Sequence, residues 1–370
     1  MKIEFKKEEF LESLQIVNKI IKKGNIYKIL DCVLIDASKE NIYLIAQDGK
    51  EINIKKEAEG EIKEKGKAAI DCNYLLEIIR PMPDDSFIEL EVKENKECRI
   101  TCGSNIVKNI QAKDDSTYPN SVNVNKENVL ILNELKLKKI LEKTIYYYDR
   151  TGDTGNIILK GIYFDINKEN FTAKSMDGYI ISIINEIIIG NDKVYKKIIP
   201  GSALEELYRL IKGEVNKDVY IYINDKNISF EFNNTLFTSI IIPNSYIETD
   251  RIFNLEYSTK VILNKTNFYD SLRRSIPLLR ENDNKPVIFD IKDEKIDINL
   301  NSLSGDSHEE LEAKKTGKDL TIAFNAKNLI KILSVIEDEN IILYFAGSKQ
   351  PLIIKDKQET FSFLLTPVKI

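Results

Sequence analysis

The sequence predicts an α+β fold in which one unit of antiparallel strands and two helices occurs three times. Three segments of the 370 residues share a pattern of three apolar residues, an aspartate, a turn and a second strand-like run. They are 33–49, 162–178 and 287–305, the last with two extra residues. Strand-like runs interrupted by only two helical patterns per unit are typical of antiparallel sheets that helices cover on one face.

The composition indicates a folded protein of several domains. Hydrophobic residues make up 42% and charged residues 31% of the chain, and the 15 glycines and 9 prolines leave little room for flexible linkers. No apolar run approaches the ~18 residues that cross a bilayer. The charged start M-K-I-E-F-K-K-E-E-F does not resemble a signal peptide. We therefore expect a cytoplasmic protein without a membrane partner.

Each unit begins with a strand and an amphipathic helix, predicted over 9–23, 134–145 and 266–276. In the first helix, apolar residues recur at helical spacing and form one stripe: Phe10, Leu14, Val17 and Ile21. The stripe predicts that the helix packs one face against a sheet.

A second helix follows the hairpin of each unit, predicted over 73–80, 202–212 and 326–336. Asp71 and Ser202 are candidate N-caps, because their side-chain oxygens can accept the free amide protons of the first turn. A strand pair then closes each unit. We expect three domains, joined by short connections into a rigid arc: 1–122, 127–250 and 254–370.

The hairpins of the first two units turn at Asp48-Gly49 and Asp177-Gly178. Because the pair recurs at one place of the repeat, we interpret it first as a two-residue hairpin loop with positive φ angles. A catalytic Asp177 and the rim of a binding site are the alternatives for the second pair. No acid, base or metal partner accompanies Asp177, which disfavours catalysis.

Residues that most enzymes and metal sites need are scarce. The chain has one histidine, His308 in the polar segment S-G-D-S-H-E-E, and neither a P-loop nor a G-x-G-x-x-G sequence. Of its four cysteines, Cys98 and Cys102 share a strand face about 13 Å apart, too far for a disulfide. We expect reduced thiols, a solvated loop histidine, no metal, no cofactor and no catalysis.

Several short sequences occur in an order that resembles the β sliding clamp of bacterial DNA polymerase III. They are M-K-I-E-F at the start, T-Y-P-N at 117–120, M-D-G-Y at 176–179, F-T-S-I-I-I at 237–242 and T-P-V-K-I at the end. With the threefold repeat, the resemblance covers essentially the whole chain. It implies a homodimeric ring of six clamp domains, with sheets outside and two helices each on the inner face.

Such a ring encloses duplex DNA without sequence preference and has no catalytic activity. The resemblance implies that its partners are the replicative DNA polymerase, the clamp loader and other proteins that carry short clamp-binding peptides. A repeat scaffold that binds proteins but no DNA, and a small-molecule enzyme with Asp177 or Asp153 in its site, are the competing hypotheses.

The net charge of −5 and the pI of about 5.4 are unusual for a DNA-binding protein. A ring that holds DNA by enclosure needs little affinity, however, and strong phosphate contacts would hinder sliding. Cations on equivalent helices therefore suggest a positive inner wall, with an ordinary solvated helix face as the alternative. We expect these residues to face DNA: Lys22, Lys23, Arg80, Lys136, Lys139, Lys143, Arg209, Lys212, Arg273, Arg274, Lys327 and Lys331.

The segment Y-Y-Y-D-R-T-G-D-T-G-N, 146–156, corresponds by the resemblance to a loop of the inner face. Tyr148 and Arg150 are its candidate DNA contacts. A cation site on Asp149 and Asp153 is the alternative, although D-x-x-x-D offers fewer ligands than a calcium loop.

The resemblance also implies an apolar groove on the second and third domains that binds partner peptides. Carried over residue by residue, its lining is Leu159, Met176, Gly178, Tyr179, Ile180, Ile181, Ile247, Arg251, Ile252, Leu364, Thr366, Pro367, Val368 and Lys369. Strand core is the alternative for Met176, Ile180 and Ile181. The family often has a basic pair after Asp-Gly and often ends in Met-Pro-Met-Arg-Leu, so the departures here leave the peptide preference open.

A dimer interface is expected between the edge of the first domain and the third domain of a second chain. Its candidate residues are Val107 and Ile110 on one side and Leu278 and Leu279 on the other. Internal packing is the alternative for each of them.

Overall fold

The computed structural model describes residues 1–22, 24–127, 129–189, 193–253, 255–279, 285–356, 358 and 360–369. The chain divides into two compact structural units, called unit 1 and unit 2, which differ from the three sequence repeats. Unit 1 comprises Met1–Lys138 and Ala203–Ile241, and unit 2 comprises Lys139–Ser202 and Ile242–Ile370. Each unit holds the elements of one outer repeat and part of the middle one.

The first repeat has the predicted order of strand, helix, hairpin, helix and closing strands. Its elements are β1 (Lys2–Lys6), α1 (Lys7–Asn18), β2 (Cys32–Asp36), β3 (Ile42–Gln47), β4 (Ile52–Ala58), β5 (Glu61–Glu64), β6 (Lys67–Asp71), α2 (Cys72–Ile79), β7 (Phe87–Val92), β8 (Glu97–Cys102) and β9 (Ile106–Gln111). The apolar stripe of α1 is buried, and Phe10 stacks on Phe5 with ring centroids 3.7 Å apart. The Asp71 carboxylate accepts a hydrogen bond from the Tyr74 amide at 2.9 Å, which confirms Asp71 as the N-cap of α2.

The second repeat has the same order. Its elements are β10 (Val129–Asn133), α3 (Glu134–Glu142), β11 (Gly161–Ile166), β12 (Asn170–Met176), β13 (Ile180–Ile187), β14 (Tyr195–Pro200), α4 (Gly201–Leu210), β15 (Asp218–Ile223), β16 (Asn227–Phe232) and β17 (Thr235–Ile240). Ser202 is the second residue of α4, so the prediction that it caps this helix was wrong. The carboxyl end of α4 is instead held by α3: Lys138 Nζ donates to the Ile211 carbonyl at 2.9 Å, and buried Glu134 accepts from the Gly213 amide at 3.0 Å.

The third repeat completes the series. Its elements are α5 (Asp250–Phe253), β18 (Thr259–Asn264), α6 (Lys265–Ser275), β19 (Val287–Lys292), β20 (Lys295–Ser302), β21 (Gly305–Glu312), β22 (Lys314–Gly317), β23 (Leu320–Phe324), α7 (Ala326–Leu333), β24 (Asn340–Phe345), β25 (Leu352–Lys355) and β26 (Phe361–Leu365). Asn264 and Asn325, which the sequence analysis did not name, cap α6 and α7 through their side-chain oxygens.

Several helices end before the predicted residue, although the apolar residues beyond their ends remain buried. Ile21, Ile145 and Ile336 follow α1, α3 and α7 and are 8%, 2% and 1% exposed. The apolar periodicity therefore marks the buried face correctly but continues past the helical hydrogen bonds. Within the described ranges, no helix combines the length and the apolar composition needed to cross a membrane.

The repeats join through their sheets. In unit 1, the strand order β10-β15-β16-β17-β4-β3-β2-β6 contains an antiparallel joint between β17 and β4. In unit 2, the order β14-β11-β12-β13-β26-β25-β24-β18-β22 contains an antiparallel joint between β13 and β26. The two remaining sheets are β5-β1-β7-β8-β9 and β21-β20-β19-β23, in which β9 and β21 are edge strands.

Candidate functional site

The Asp177 turn is built around its own carboxylate. Asp177 Oδ1 accepts hydrogen bonds from the Tyr179 amide at 2.9 Å and the Ile180 amide at 2.8 Å. Gly178 has a φ of +94°, whereas the φ angle of Asp177 is not positive. The prediction that both residues of the pair supply positive φ was therefore wrong for the aspartate, which acts by capping the turn.

The Asp48 turn is held in the same way. Gly49 has a φ of +74°. Asp48 Oδ1 accepts hydrogen bonds from the amides of Lys50, Glu51 and Ile52 at 3.0, 2.8 and 2.9 Å. The recurring Asp-Gly pair is thus a structural element of both turns.

Beneath the Asp177 turn, side chains from several elements form an apolar cluster, here called the groove cluster: Leu159, Met176, Ile181, Ile353 and Leu364. Met176 lies opposite Ile181 in the β12–β13 ladder, and Ile353 lies opposite Leu364 in the β25–β26 ladder. Leu159 comes from the 3₁₀ turn before β11. The structure thereby brings together four of the predicted groove residues and adds Ile353.

Several predicted groove residues are sequence neighbours of the groove cluster or of residues that pack against it, and they are exposed. Tyr179 is 66% exposed, Ile247 40% and Ile252 38%, and Arg251 and Gly178 are exposed as well. These residues provide apolar surface and one cation beside a largely buried floor.

The carboxyl-terminal tail lies along the turn. The Thr366 amide donates to the Tyr179 carbonyl at 3.0 Å, and the Val368 amide donates to the Ala323 carbonyl at 2.8 Å. Thr366, Pro367 and Val368 are half-buried, while Lys369 is exposed. The tail is therefore fixed by backbone hydrogen bonds at two points.

Ile180 does not belong to the groove cluster. It is fully buried in the core of unit 2, together with Tyr147 and Phe363. Successive residues of a strand point to opposite faces, so Ile180 and Ile181 cannot both face the groove. The strand-core alternative is correct for Ile180.

Partly buried residues outside the predicted groove set also pack against the groove cluster: Ile183, Tyr246, Phe253, Tyr257 and Tyr344. The Tyr246 ring stacks on Tyr163 with centroids 4.7 Å apart. The Tyr246 hydroxyl is buried without a hydrogen-bond partner among the described residues, and burial raises its pKa. The period of two along β13 could have identified Ile183, whereas the tyrosines are brought in by tertiary packing.

The predicted DNA-facing cations differ in exposure, and several of them form ion pairs. Arg80, Lys136, Arg273 and Lys327 are exposed on or beside the helices, and Lys23 lies outside the described residues. Other cations are within 4 Å of a carboxylate of the same unit. These pairs are Lys22–Asp48, Lys139–Glu337, Arg209–Glu206, Lys212–Glu12, Arg274–Glu309 and Lys331–Asp177.

Lys331 contacts the turn of the groove. Its Nζ lies 3.5 Å from Asp177 Oδ2 and 5.1 Å from the centroid of the Tyr147 ring, whose hydroxyl donates to the Lys331 carbonyl at 2.9 Å. Burial lowers the pKa of Lys331, although the charge of Asp177 opposes this shift. Lys331 therefore links α7 to the Asp177 turn through an ion pair, and its role as a DNA-facing residue stays a prediction.

Tyr148 is corrected from a predicted DNA contact to a packing residue. It is 8% exposed, and a Cβ added to Gly201 would come within 2.4 Å of its ring. Arg150 is exposed, with its guanidinium 5.5 Å from the ring centroids of Tyr146 and Tyr148. Lys143 is half-buried, with Nζ 4.7 Å from the Phe361 ring centroid.

Comparison with known proteins identifies the family. Family models of the DNA polymerase III beta subunit match the chain in three segments: the N-terminal domain at 1–121, the central domain at 131–247 and the C-terminal domain at 250–368. The chain belongs to the DNA polymerase III beta subunit family. It is 33% identical to a putative DNA polymerase III beta subunit from Eubacterium rectale, whose crystal structure matches with a TM-score of 0.96 over 100% of this chain and 99% of that chain.

Two further relatives agree with this assignment. The beta sliding clamp of Streptococcus pneumoniae is 26% identical over 374 residues, which cover 98% of both proteins. The crystal structure of the sliding clamp from Bacillus subtilis, at 24% identity, shares the fold with a TM-score of 0.95 and covers 100% of this chain and 99% of that chain. As a member of the beta subunit family, the chain is a sliding clamp of DNA replication, a processivity factor without catalytic activity.

The loop 146–156 of this family member uses its first aspartate internally. Asp149 is 4% exposed and accepts hydrogen bonds from the Thr154 hydroxyl and from the Gly152 and Thr154 amides. The Thr154 hydroxyl and these amides hold the pKa of Asp149 below its usual range. The oxygens that the cation-site alternative needs are thus engaged, and no cluster of three or more His, Cys, Asp or Glu side chains suited to a metal occurs in the described part of the chain.

The candidate dimer residues differ in exposure. Val107 is 43% exposed on the edge strand β9, where Ile110 is half-buried. Leu278 is half-buried, whereas Leu279 is 8% exposed and belongs to the core of unit 2. Internal packing therefore accounts for Leu279.

The four cysteines are buried and unpaired. Burial raises the pKa of Cys32 to about 11 and the pKa of Cys98 to about 12.

His308 is exposed but lies on β21, so the prediction of a loop was wrong. Its Nδ1 is 2.7 Å from Asn299 Oδ1.

Proposed function

We propose that two copies of this chain close into a ring around duplex DNA. The replicative polymerase, the clamp loader and other partners would then bind through short peptides at the groove cluster. The observation that carries the proposal is the repeated sheet joint.

In each joint, the last strand of one repeat pairs with the third hairpin strand of its neighbour: β17 with β4, and β26 with β13. The corresponding strands of the outer repeats are β9 and β21, and both are edge strands. Edge strands offer free N–H and C=O groups for pairing. Pairing β9 of one chain with β21 of a second copy would repeat the joint, and two such contacts would close a ring of six domains.

Charge and apolar surface support this pairing. β9 presents exposed Val107 and Lys108, whereas the exposed positions of β21 include Asp306, Glu310 and Glu312. Acidic side chains opposite Lys108 favour the heterologous contact over the pairing of two copies of β21.

The apolar side chains of the groove cluster and the exposed cations predicted beside it support peptide binding. A bulky apolar side chain placed over Met176 and Ile181 would bury roughly 100–150 Å², worth about 3 kcal/mol at ~25 cal/mol/Å². Arg251 and Lys369 are exposed and can attract an acidic residue of the same peptide. Micromolar binding, about −8 kcal/mol, would let partners exchange at one groove.

The exposed helix cations support sequence-independent contact with DNA through phosphates rather than base edges. A cytoplasmic location follows from the proposal, because the DNA and the replicative polymerase of a bacterium occupy that compartment.

Light scattering and DNA retention test the ring. The expected mass is twice 42.6 kDa, and protein loaded on nicked circular DNA should remain bound, whereas it should leave linear DNA from the ends. A monomer, or equal loss from both DNAs, would reject the ring and favour the protein scaffold.

Binding of the replicative polymerase tests the groove. Ile247→Asp places a charge at the rim and should weaken binding at least about tenfold, since the apolar contact carries more than 1.4 kcal/mol. Ile189→Asp is the matched control, because Ile189 is 91% exposed in the same unit and neither belongs to the groove cluster nor is among the residues that pack against it. Equal affinity of both variants would exclude this groove.

A further inference from the structure

The Asp48 turn borders a cavity that the proposed function does not use. The cavity lies within unit 1 and has a volume of about 520 Å³. Its apolar walls include Tyr27, Leu30, Val122 and Ile240. Tyr27, Val122 and Ile240 are 71%, 41% and 43% exposed, so a ligand can reach them.

This cavity occupies the same place in its repeat as the groove cluster. Leu30 lies in the 3₁₀ turn before β2, as Leu159 lies in the 3₁₀ turn before β11. The Ile240 amide donates to the Glu51 carbonyl at 3.0 Å, as the Thr366 amide donates to the Tyr179 carbonyl at 3.0 Å. Both sites are therefore built at the joint of two repeats, beside an Asp-Gly turn.

The floors of the two sites differ in chemistry. Ile181 and Leu364 face each other at the β13–β26 joint, whereas Asn53 and Thr238 face each other at the β17–β4 joint. Thr238 is hydrogen-bonded to Ser229 at 2.9 Å. Asn53 lines the cavity and is 8% exposed, and its Nδ2 has no partner among the described residues. A buried unpaired donor is unfavourable, and an acceptor brought by a ligand would relieve it.

The charge of the lining favours an anionic acceptor. Lys50 and Lys226 line the cavity and are exposed, while Glu51 is the one carboxylate among its described lining residues. A carboxylate bound in this cavity would share its lining with two cations and the unpaired Asn53 amide. Hydrogen bonds between a charged acceptor and an amide are stronger than those between neutral groups.

We propose that this cavity is a second peptide-docking groove, which binds an extended segment of a partner protein with a bulky apolar side chain next to a carboxylate. The apolar side chain packs on Leu30 and Ile240, and the carboxylate accepts a hydrogen bond from Asn53 Nδ2. The inference rests on the proposed function in one respect, that a joint of this construction binds peptides. Because only the second floor carries Asn53, the two grooves differ in how strongly they prefer the carboxylate, and one chain can hold two peptides at once.

Three fluorescein-labelled heptapeptides serve as probes, each with the pair Leu-Phe preceded by Asp, Asn or Ala in a Gly-Ser background. Binding to the full chain is measured by anisotropy and by calorimetric stoichiometry. Ile247→Asp blocks the first groove, and Ile240→Asp blocks the second at an exposed position. The Asp peptide should bind at two sites per wild-type chain, at one site in either variant and at none in the double variant.

Asn53→Leu, made in the Ile247→Asp background, tests the recognition of the carboxylate. It should weaken binding of the Asp peptide about tenfold and leave the Ala peptide unchanged. The melting temperature should not fall, because leucine removes an unpaired buried donor. A merely structural role of Asn53 would weaken both peptides equally, and that result would overturn the proposed contact.

The variants separate the two proposals. Loss of all binding in Ile247→Asp would overturn the second groove and leave the first intact. Unchanged stoichiometry in Ile247→Asp, with one site lost in Ile240→Asp, would support the second groove and reject the first. Absence of binding by all three peptides to the wild-type chain would reject both.

Discussion

Replacing Asp48 by alanine tests whether the recurring turns are held by their carboxylates. The Asp48 side chain is 1% exposed and accepts three amide hydrogen bonds. The amides of Lys50 and Glu51 can turn to water in the variant, whereas Ile52 is 4% exposed and its amide would stay unpaired. With about 1.5 kcal/mol for Ile52 and about 0.5 kcal/mol for each of the others, the expected destabilisation of unit 1 is about 2–3 kcal/mol.

Hydrogen exchange and urea unfolding measure this effect. Asp48→Ala should speed exchange at the amides of residues 50–52 and lower the urea midpoint of unit 1. Asp48→Asn keeps an acceptor oxygen and should lose about half as much. Asp177→Ala, which removes two amide hydrogen bonds, should lower the stability of unit 2 by about 1–2 kcal/mol.

The pH dependence gives an independent check. Burial raises the pKa of Asp48, but hydrogen bonds from the Ile52, Lys50 and Glu51 amides outweigh it and hold the pKa below its usual range. A carboxyl whose pKa is lowered by folding stabilises the protein above its unfolded pKa of about 3.9 and loses this contribution as the pH falls. The difference between wild type and Asp48→Ala should therefore shrink below about pH 4. Unchanged exchange at 50–52, or a difference that grows on acidification, would refute the reasoning.

Three further predictions concern the groove, the proposed dimer interface and the cysteines. Lys331→Met should weaken polymerase binding about fivefold, or ~1 kcal/mol, because the Asp177 turn loses its ion pair, and it should leave retention on circular DNA unchanged. The exposed control Lys327→Met should leave polymerase binding intact. Equal effects of both variants would contradict a role of the Lys331–Asp177 pair in the groove. Val107→Asp should yield a monomer of 42.6 kDa by light scattering. The control Val215→Asp, at a position that is 67% exposed in the same unit, should remain dimeric. A dimeric Val107→Asp variant would show that β9 does not form the interface. Ellman's reagent at pH 8 should label no thiol in the native chain and four thiols after unfolding in urea. The reason is that the cysteines are buried and burial raises the pKa of Cys32 to about 11. Fast labelling of the native chain would show that a cysteine is accessible.

The fold could be predicted from the sequence because its signals are local and repeated. The apolar stripe of α1 and the N-cap Asp71 depend on residues a few positions apart. The end of α4 could not be predicted in this way, because Glu134 and Lys138 of a different helix hold it. Ser202 was misassigned because α4 begins directly at the end of β14.

Strand alternation and family resemblance predicted part of the candidate site. Alternation alone separates Ile181, which joins the groove cluster, from Ile180, which joins the core. Burial of Tyr148 depends on its contact with Gly201, and the position of Lys331 depends on the Asp177 turn. Neither contact leaves a pattern in the sequence, since the partners are distant in the chain.

The ion pairs of the helices explain how an acidic chain can enclose DNA. Arg209, Arg274 and Lys139 already have a carboxylate within 4 Å, so each must exchange that partner to contact a phosphate. Exposed ion pairs contribute about 0–1 kcal/mol, which makes the exchange easy but leaves little net gain. Each phosphate neutralised adds about −0.9 to the dependence of log K on log salt concentration, and a cation that must first leave a carboxylate gains less from that contact. In the proposed ring these paired cations would add little affinity for DNA, and retention on DNA would have to come from closure of the two chains.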